Sequence, residues 1–231
     1  MICYNIHMSN ESLFVISALI NIVFILFASR RSIDWLLGTI AVNLILIGIF
    51  GAKLITVFGL TTNAGNVFYG CVFLATHFIL ERRGKKVDLK TIWYGVVFVL
   101  FFTLMSQFAA EFSGLALSES ANSAILTLFS FSLRITFASI LAYVFAQYVN
   151  VFIYEWLKMR TSGKFLWLRS NGANVVAQLV DSLLFFTIAF FDLPGSLLVQ
   201  AILAGWFVKT LVVAMGTPFL YIDAYLERKK L

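Results

Sequence analysis

The sequence predicts an all-α fold, a polytopic bundle of membrane-crossing helices, and three observations carry that prediction. Of the 231 residues 61% are hydrophobic and only 12% are charged, where a soluble domain is nearer 45–50% apolar and about 25% charged. Apolar runs of 17 or more residues recur along the chain, and about 20 helical residues cross the ~30 Å hydrocarbon core of a bilayer. Alternating ten-residue segments of the barrel type are absent. One membrane domain, residues 1–231, accounts for the whole length.

Seven spans are expected in order. The first, Ser12–Ala28, follows a tail without Lys or Arg; it lacks the positive flank and small-residue cleavage site of a signal peptide. Arg30, Arg31 and Asp34 make a tight loop. The second span runs over Trp35–Val57, with Asn43 near its middle and Lys53 near its far end, and Phe58–Gly65 is a turn by its Gly and Asn content. The third, Asn66–Leu80, carries His77 and continues into Glu81 and the basic loop of residues 81–90. The fourth, Thr91–Ala110, precedes a segment with Glu111 and Glu119 and no basic residue. The fifth is long, Asn122–Glu155, and contains Arg134, Gln147 and Asn150. Lys158, Arg160, Lys164 and Arg169 form the next basic stretch before the sixth span, Asn171–Phe191. Asp192–Gly195 is a Pro-Gly turn, and the seventh span, Ser196–Tyr221, holds Lys209 and leads into a basic tail.

With these seven spans every loop Lys and Arg falls on one side, and Lys53, Arg134 and Lys209 lie within spans. The positive-inside rule then sets the N-terminus outside and the C-terminus in the cytoplasm. The net charge of +6 therefore has a membrane explanation, and nucleic acid is not an expected partner. Cys3 and Cys71 lie far apart and match no metal or redox spacing. With no second His-rich segment, neither a metal nor another cofactor is expected. No Walker A, GxGxxG, GxSxG or HExxH motif occurs, so the chain reads as a non-enzyme that cannot by itself be an ATP-driven pump.

The sixth span carries the most information. Asn171, Asn174, Gln178 and Asp181 are spaced three, four and three apart, with Phe185 four further on. On a helix that is one stripe along one face. A carboxylate facing lipid is expensive, so the stripe must face protein or a water-filled cavity. It either glues the helix to its neighbours or forms a polar wall that meets a solute; a carboxylate and amides in strict register favour the solute. Arg134 either snorkels to the interface or points inward to Asp181 or a ligand, where its planar fork suits bidentate bonding. His77 with Glu81 one turn later could relay a proton or serve as a structural hydrogen-bonding group. Lys209 pairs with an acidic group or snorkels. On the fifth span Ser139, Tyr143, Ala146, Gln147 and Asn150 cluster on one face.

Three blocks give the chain a family likeness. They are residues 43–86, NLILIGIFGAKLITVFGLTTNAGNVFYGCVFLATHFILERRGKK; residues 134–158, RITFASILAYVFAQYVNVFIYEWLK; and residues 166–190, LWLRSNGANVVAQLVDSLLFFTIAF. In order and spacing they resemble the queuosine precursor transporters, the vitamin-uptake-transporter-like family of bacterial inner-membrane proteins. Arg134, Gln147, Gln178 and Asp181 match the family pattern; His77 and Asn150 stand where the family usually has Asp. The resemblance covers Asn43 to Tyr221, a six-helix core with the first helix extra to it. It implies inner-membrane uptake of a 7-cyano- or 7-aminomethyl-7-deazaguanine by a secondary transporter. A carboxylate accepts two hydrogen bonds from the donor edge of such a base, and Gln, Asn or Arg serves its carbonyl. The expected site therefore has Asp181 and Gln178 gripping the base, Asn174 and Arg134 completing the wall, Phe185 stacking, and Gln147 contributed by the family match. Two other readings stay open: a substrate-binding subunit of an ATP-driven vitamin or nucleobase importer, and a carrier of another small planar solute. The sequence also leaves open a homodimer and an ATPase partner.

Overall fold

The structure is a computed structural model that describes residues 8–115, 118–129 and 133–229. Cys3 and Lys230 lie outside them. The chain folds as α1 (Asn10–Arg31), α2 (Ile33–Phe50), a hairpin of β1 (Leu54–Val57) and β2 (Leu60–Asn63), then α3 (Gly65–Arg83), α4 (Lys85–Glu111), α5 (Glu119–Phe129), α6 (Leu133–Arg160), α7 (Leu166–Ala189) and α8 (Gly195–Arg228). Among the described residues six helices are long and apolar enough to cross a membrane: α1, α2, α4, α6, α7 and α8. The protein is an all-α polytopic membrane protein.

The joints at one end of the bundle are short and chemically specified. Ser32 alone separates α1 from α2; its extended backbone ends the first helix, and its hydroxyl accepts the Trp35 amide at the start of the second. Gly84, at φ +75°, joins α3 to α4, a conformation that suits a residue without Cβ. This end also carries the α6–α7 loop, with Ser162, Gly163 and Phe165 all at positive φ. We call it the basic end, after Arg30, Arg31, Arg82, Arg83, Lys158 and Arg160.

α3 is the axis of the bundle. It packs against α1, α2, α4, α6, α7 and α8, and every residue from Gly70 to Leu80 is buried. This explains why α3, expected as the third span, is more polar than the six membrane-crossing helices: its surroundings are protein. Gly70 sets the approach of α8. A Cβ there would lie 2.6 Å from Val212 Cβ and 2.9 Å from the Lys209 carbonyl oxygen. Gly70→Val is therefore expected to push α8 off α3 at a cost of about 1–3 kcal/mol, as overpacking does. Thermal unfolding of the detergent-solubilised protein would measure it, and an unchanged midpoint would refute the close approach.

Two expectations are corrected. α2 stops at Phe50, not Val57; Gly51 caps it, and the segment that follows is a β-hairpin. Ile55, Thr56, Val57, Thr61 and Thr62 are β-branched, and the Phe58–Gly59 turn has φ +53° and +74°, as two-residue hairpins require. Apolar content over 54–57 mimicked a continuing helix. The hairpin is held by α1, where Asn10 Nδ2 donates to the Thr56 carbonyl (3.0 Å) and Glu11 accepts the Phe58 amide (3.1 Å). Lys53 is thus exposed in the α2–β1 connection, at the end opposite the basic one. Second, the expected fifth helix corresponds to two helices, with residues 130–132 outside the described ones. α5 turns back along the last turns of α4: Gln107 donates to the Phe129 carbonyl, and the Phe102 and Phe129 rings lie 5.9 Å apart. This places Arg134 in the first turn of α6 and not a third of the way along a span.

Candidate functional site

A column of polar side chains runs through the centre of the bundle between α3, α6, α7 and α8. α3 and α7 are antiparallel, so residues stepping up one step down the other: Glu81 meets Arg169, His77 meets Ser170, and Tyr69 meets Asp181. α6 delivers Gln147, Asn150 and Tyr154 to the same column, one per turn.

At the basic end Arg169 forms a two-pronged bond to Glu81 (Nε to Oε1 2.9 Å, Nη2 to Oε2 2.8 Å). Tyr154 donates to Glu81 at 2.8 Å and Lys158 stands 3.6 Å away. One turn inward His77 is fully buried, with Nε2 3.0 Å from Asn150 Oδ1 and Nδ1 2.9 Å from Ser170 Oγ. An amide oxygen only accepts, so Nε2 carries a proton, while Nδ1 meets a hydroxyl that can donate or accept. Asn150 passes its own donor on to Thr76 (3.3 Å), and the His77 ring lies 4.9 Å from that of Tyr154.

The next layer is different in kind. Gln147, Asn174 and Gln178 are each fully buried. Gln178 donates to Asn174 Oδ1 at 3.3 Å. Both amide atoms of Gln147, Nδ2 of Asn174 and Oε1 of Gln178 have no hydrogen-bond partner among the described residues. Gln147 is one turn from Asn150 and Asn174 one turn from Ser170, so these two amides share a level, with Gln178 one turn beyond Asn174. A buried polar atom without a partner forfeits roughly 1–3 kcal/mol, so these four in adjoining turns make this the least satisfied part of the column.

Beyond it, Asp181 is engaged at both oxygens. Lys209 Nζ lies 2.5 Å from Oδ2 and 3.2 Å from Ser182 Oγ, and the Tyr69 hydroxyl donates to Oδ1. The ammonium also sits 4.9 Å from the centre of the Tyr69 ring, a cation–π contact. Lys209 and Asp181 side chains are 4% and 5% exposed, so this is a closed, self-neutralised pair. Phe185 stands one turn further on α7, half-buried, in an aromatic group with Phe186 (5.2 Å) and Phe190 (5.9 Å).

Of the residues expected to act together, the column gathers Asp181, Gln178, Asn174, Gln147, His77 and Glu81. It leaves out two. Arg134 is 41% exposed and bonds Asp192 (3.1 Å), stacked over Phe191; the α7–α8 turn, not Asp181, is its partner. Asn171 turns to Thr217 on α8 (3.0 Å), so the lower end of the stripe does act as glue. Sequence reasoning missed Tyr69, Ser170 and Arg169 as members. A Tyr or Ser within an apolar helix has no distinctive spacing, and Arg169 was counted with the basic loop.

A family model described as "Putative vitamin uptake transporter" matches residues 63–222. The chain belongs to the vitamin uptake transporter family. Like the family, it is a membrane transport protein and not an enzyme. The matched stretch takes in every member of the column, and omits α1, α2 and all of the hairpin but Asn63. A relative in Bacillus subtilis (strain 168), named "Probable queuosine precursor transporter", is 29% identical over 222 residues, covering 93% of this chain and 94% of the relative. No protein of solved structure matches the chain.

Proposed function

We propose that this transporter takes up a queuosine precursor, a 7-deazaguanine base, across the bacterial inner membrane, as a secondary carrier with its basic end in the cytoplasm. The observation that carries the reading is the layer of three unsatisfied amides. A deazaguanine edge presents ring N–H and amino donors beside a carbonyl acceptor. Gln147 Oε1 and Gln178 Oε1 are free acceptors; Gln147 Nε2 and Asn174 Nδ2 are free donors. Such an edge satisfies all four at once, and a base so bound leaves few polar groups unpaired. The name of the Bacillus relative supports the ligand class, and its likeness extends over nearly the whole of both chains. Phe185 and Phe186 offer rings for stacking, a contact worth ~1–3 kcal/mol per base. Asp181 enters this reading as a neighbour whose charge is already answered and not as the group that grips the base.

The test is rescue of queuosine in tRNA, in a host lacking both precursor synthesis and its own carrier, fed limiting 7-cyano-7-deazaguanine. The wild-type chain is expected to restore queuosine. Gln147→Leu is expected to cut rescue at least tenfold while leaving the protein as stable as wild type or more so, because it deletes two orphaned polar atoms from the interior. If Gln147 only packs helices, the variant would keep its uptake. No rescue by well-expressed wild type would refute the ligand.

A further inference from the structure

We propose that Lys209 is the residue that sets the charge of the accepted substrate, and that the site takes an uncharged base and excludes one bearing an ammonium group. This rests on the reading above, that the amide layer binds a deazaguanine. Among the described residues, the column around that layer has no spare negative charge. Asp181 is the carboxylate adjacent to the amides, one turn from Gln178, and Lys209 holds it at 2.5 Å. Tyr69 fills its other oxygen. On the opposite side of the layer stand His77, with both ring nitrogens bonded, Asn150, Ser170 and Thr76, none of them an anion. The column's other carboxylate, Glu81, is already gripped by Arg169 with Lys158 and Tyr154 beside it. A ligand therefore meets four neutral amide atoms between two ionic clusters, neither of which has a negative charge left over.

A primary alkylamine titrates near the Lys value of ~10.4 and is an ammonium at neutral pH. Entering this layer, it would have no counter-charge, and a buried uncompensated charge is strongly unfavourable. To pair with Asp181 it would have to expel Lys209, which has a hydroxyl (Ser182) and an aromatic face (Tyr69) arranged around its present position. Lys209 thus acts as a built-in cation occupying the place a cationic ligand would need. An uncharged substituent of the same size meets no such barrier.

Three bases separate charge from size: 7-cyano-, 7-hydroxymethyl- and 7-aminomethyl-7-deazaguanine, the last two nearly isosteric. Initial uptake of each labelled base would be measured in cells expressing the full chain. Wild type is expected to carry the cyano and hydroxymethyl bases and to carry the aminomethyl base at least tenfold more slowly. Lys209→Gln, which bares Asp181, is expected to shift the aminomethyl-to-hydroxymethyl ratio at least tenfold towards the amine, and Lys209→Arg to leave that ratio low. Aminomethyl uptake by wild type equal to hydroxymethyl uptake would overturn the proposal, whatever the variants do. So would an unchanged ratio in an inserted Lys209→Gln protein. Uptake of none of the three would instead refute the precursor reading and this inference with it.

Discussion

Asp181→Asn is expected to abolish uptake and to lower the stability of the solubilised protein by about 3–5 kcal/mol, the range seen when one partner of a buried ion pair is removed. The reason lies less in the lost carboxylate than in the ammonium left behind. Lys209 is 4% exposed and its three donors are directed to Asp181, Ser182 and the Tyr69 ring. With Asn at 181 the charge persists and the strongest acceptor is gone. Lys209 would then turn to the nearest free oxygens, Gln178 Oε1 among them, and so consume the group proposed to receive the base. The double variant Asp181→Asn/Lys209→Gln keeps the interior neutral and is expected to regain most of the lost stability, since neutral replacement of a whole buried pair is often tolerated. A double-mutant cycle of unfolding midpoints in detergent measures the coupling. A single variant as stable as wild type, with no coupling in the cycle, would show that the pair is not formed as described.

The bundle was legible from composition and from the runs of apolar residues, because the bilayer leaves few alternatives to a helix of about 20 residues. Asn174, Gln178 and Asp181 were also legible: polar residues at helical spacing inside an apolar span must share a face. What the sequence could not show was which partner each would meet. Lys209 was visible as an embedded charge and Asp181 as an embedded carboxylate, yet the pairing depends on α7 and α8 lying side by side in one register, with Gly70 and Gly205 opening the room. Arg134 was read into the membrane because the α5–α6 break was read as one helix. The hairpin escaped because a tally of apolar residues does not weigh β-branching or a Phe-Gly turn at positive φ. His77 and Asn150, two departures from the resemblance noted independently, prove to be one feature: they bond each other at 3.0 Å. Two side chains in contact are free to change together, so the pair reads as a single exchange of chemistry.

Arg169→Met is expected to be the most damaging change away from the amide layer, lowering stability by about 3 kcal/mol while leaving the ratio of uptake among the three bases unchanged. Arg169 is 5% exposed in its side chain and holds two things at once. Its Nε and Nη2 clamp Glu81 on α3; its Nη1 donates to the Gly163 and Lys164 carbonyls of the α6–α7 loop (2.8 and 3.1 Å). That loop passes through three positive-φ residues, two of them not glycine, a conformation that persists only when its surroundings enforce it. Removing the guanidinium orphans two carbonyls and leaves Glu81 with Tyr154 and Lys158. Those two remaining donors are why the effect falls at the low end of the range for a broken buried pair. Glu81→Gln should be milder, because a neutral amide still accepts from Arg169 and Tyr154, while the arginine keeps its loop carbonyls. Unfolding midpoints in detergent would order the proteins as wild type, Glu81→Gln, Arg169→Met. The reverse order would mean that the α3 contact, not the loop clamp, is what Arg169 contributes. Here the same kind of pair as Asp181–Lys209 does a different job. Lys209 holds the carboxylate one turn from an unsatisfied amide and, in the proposal above, shapes what a ligand meets, whereas every nitrogen of the Arg169 guanidinium is bonded to the protein.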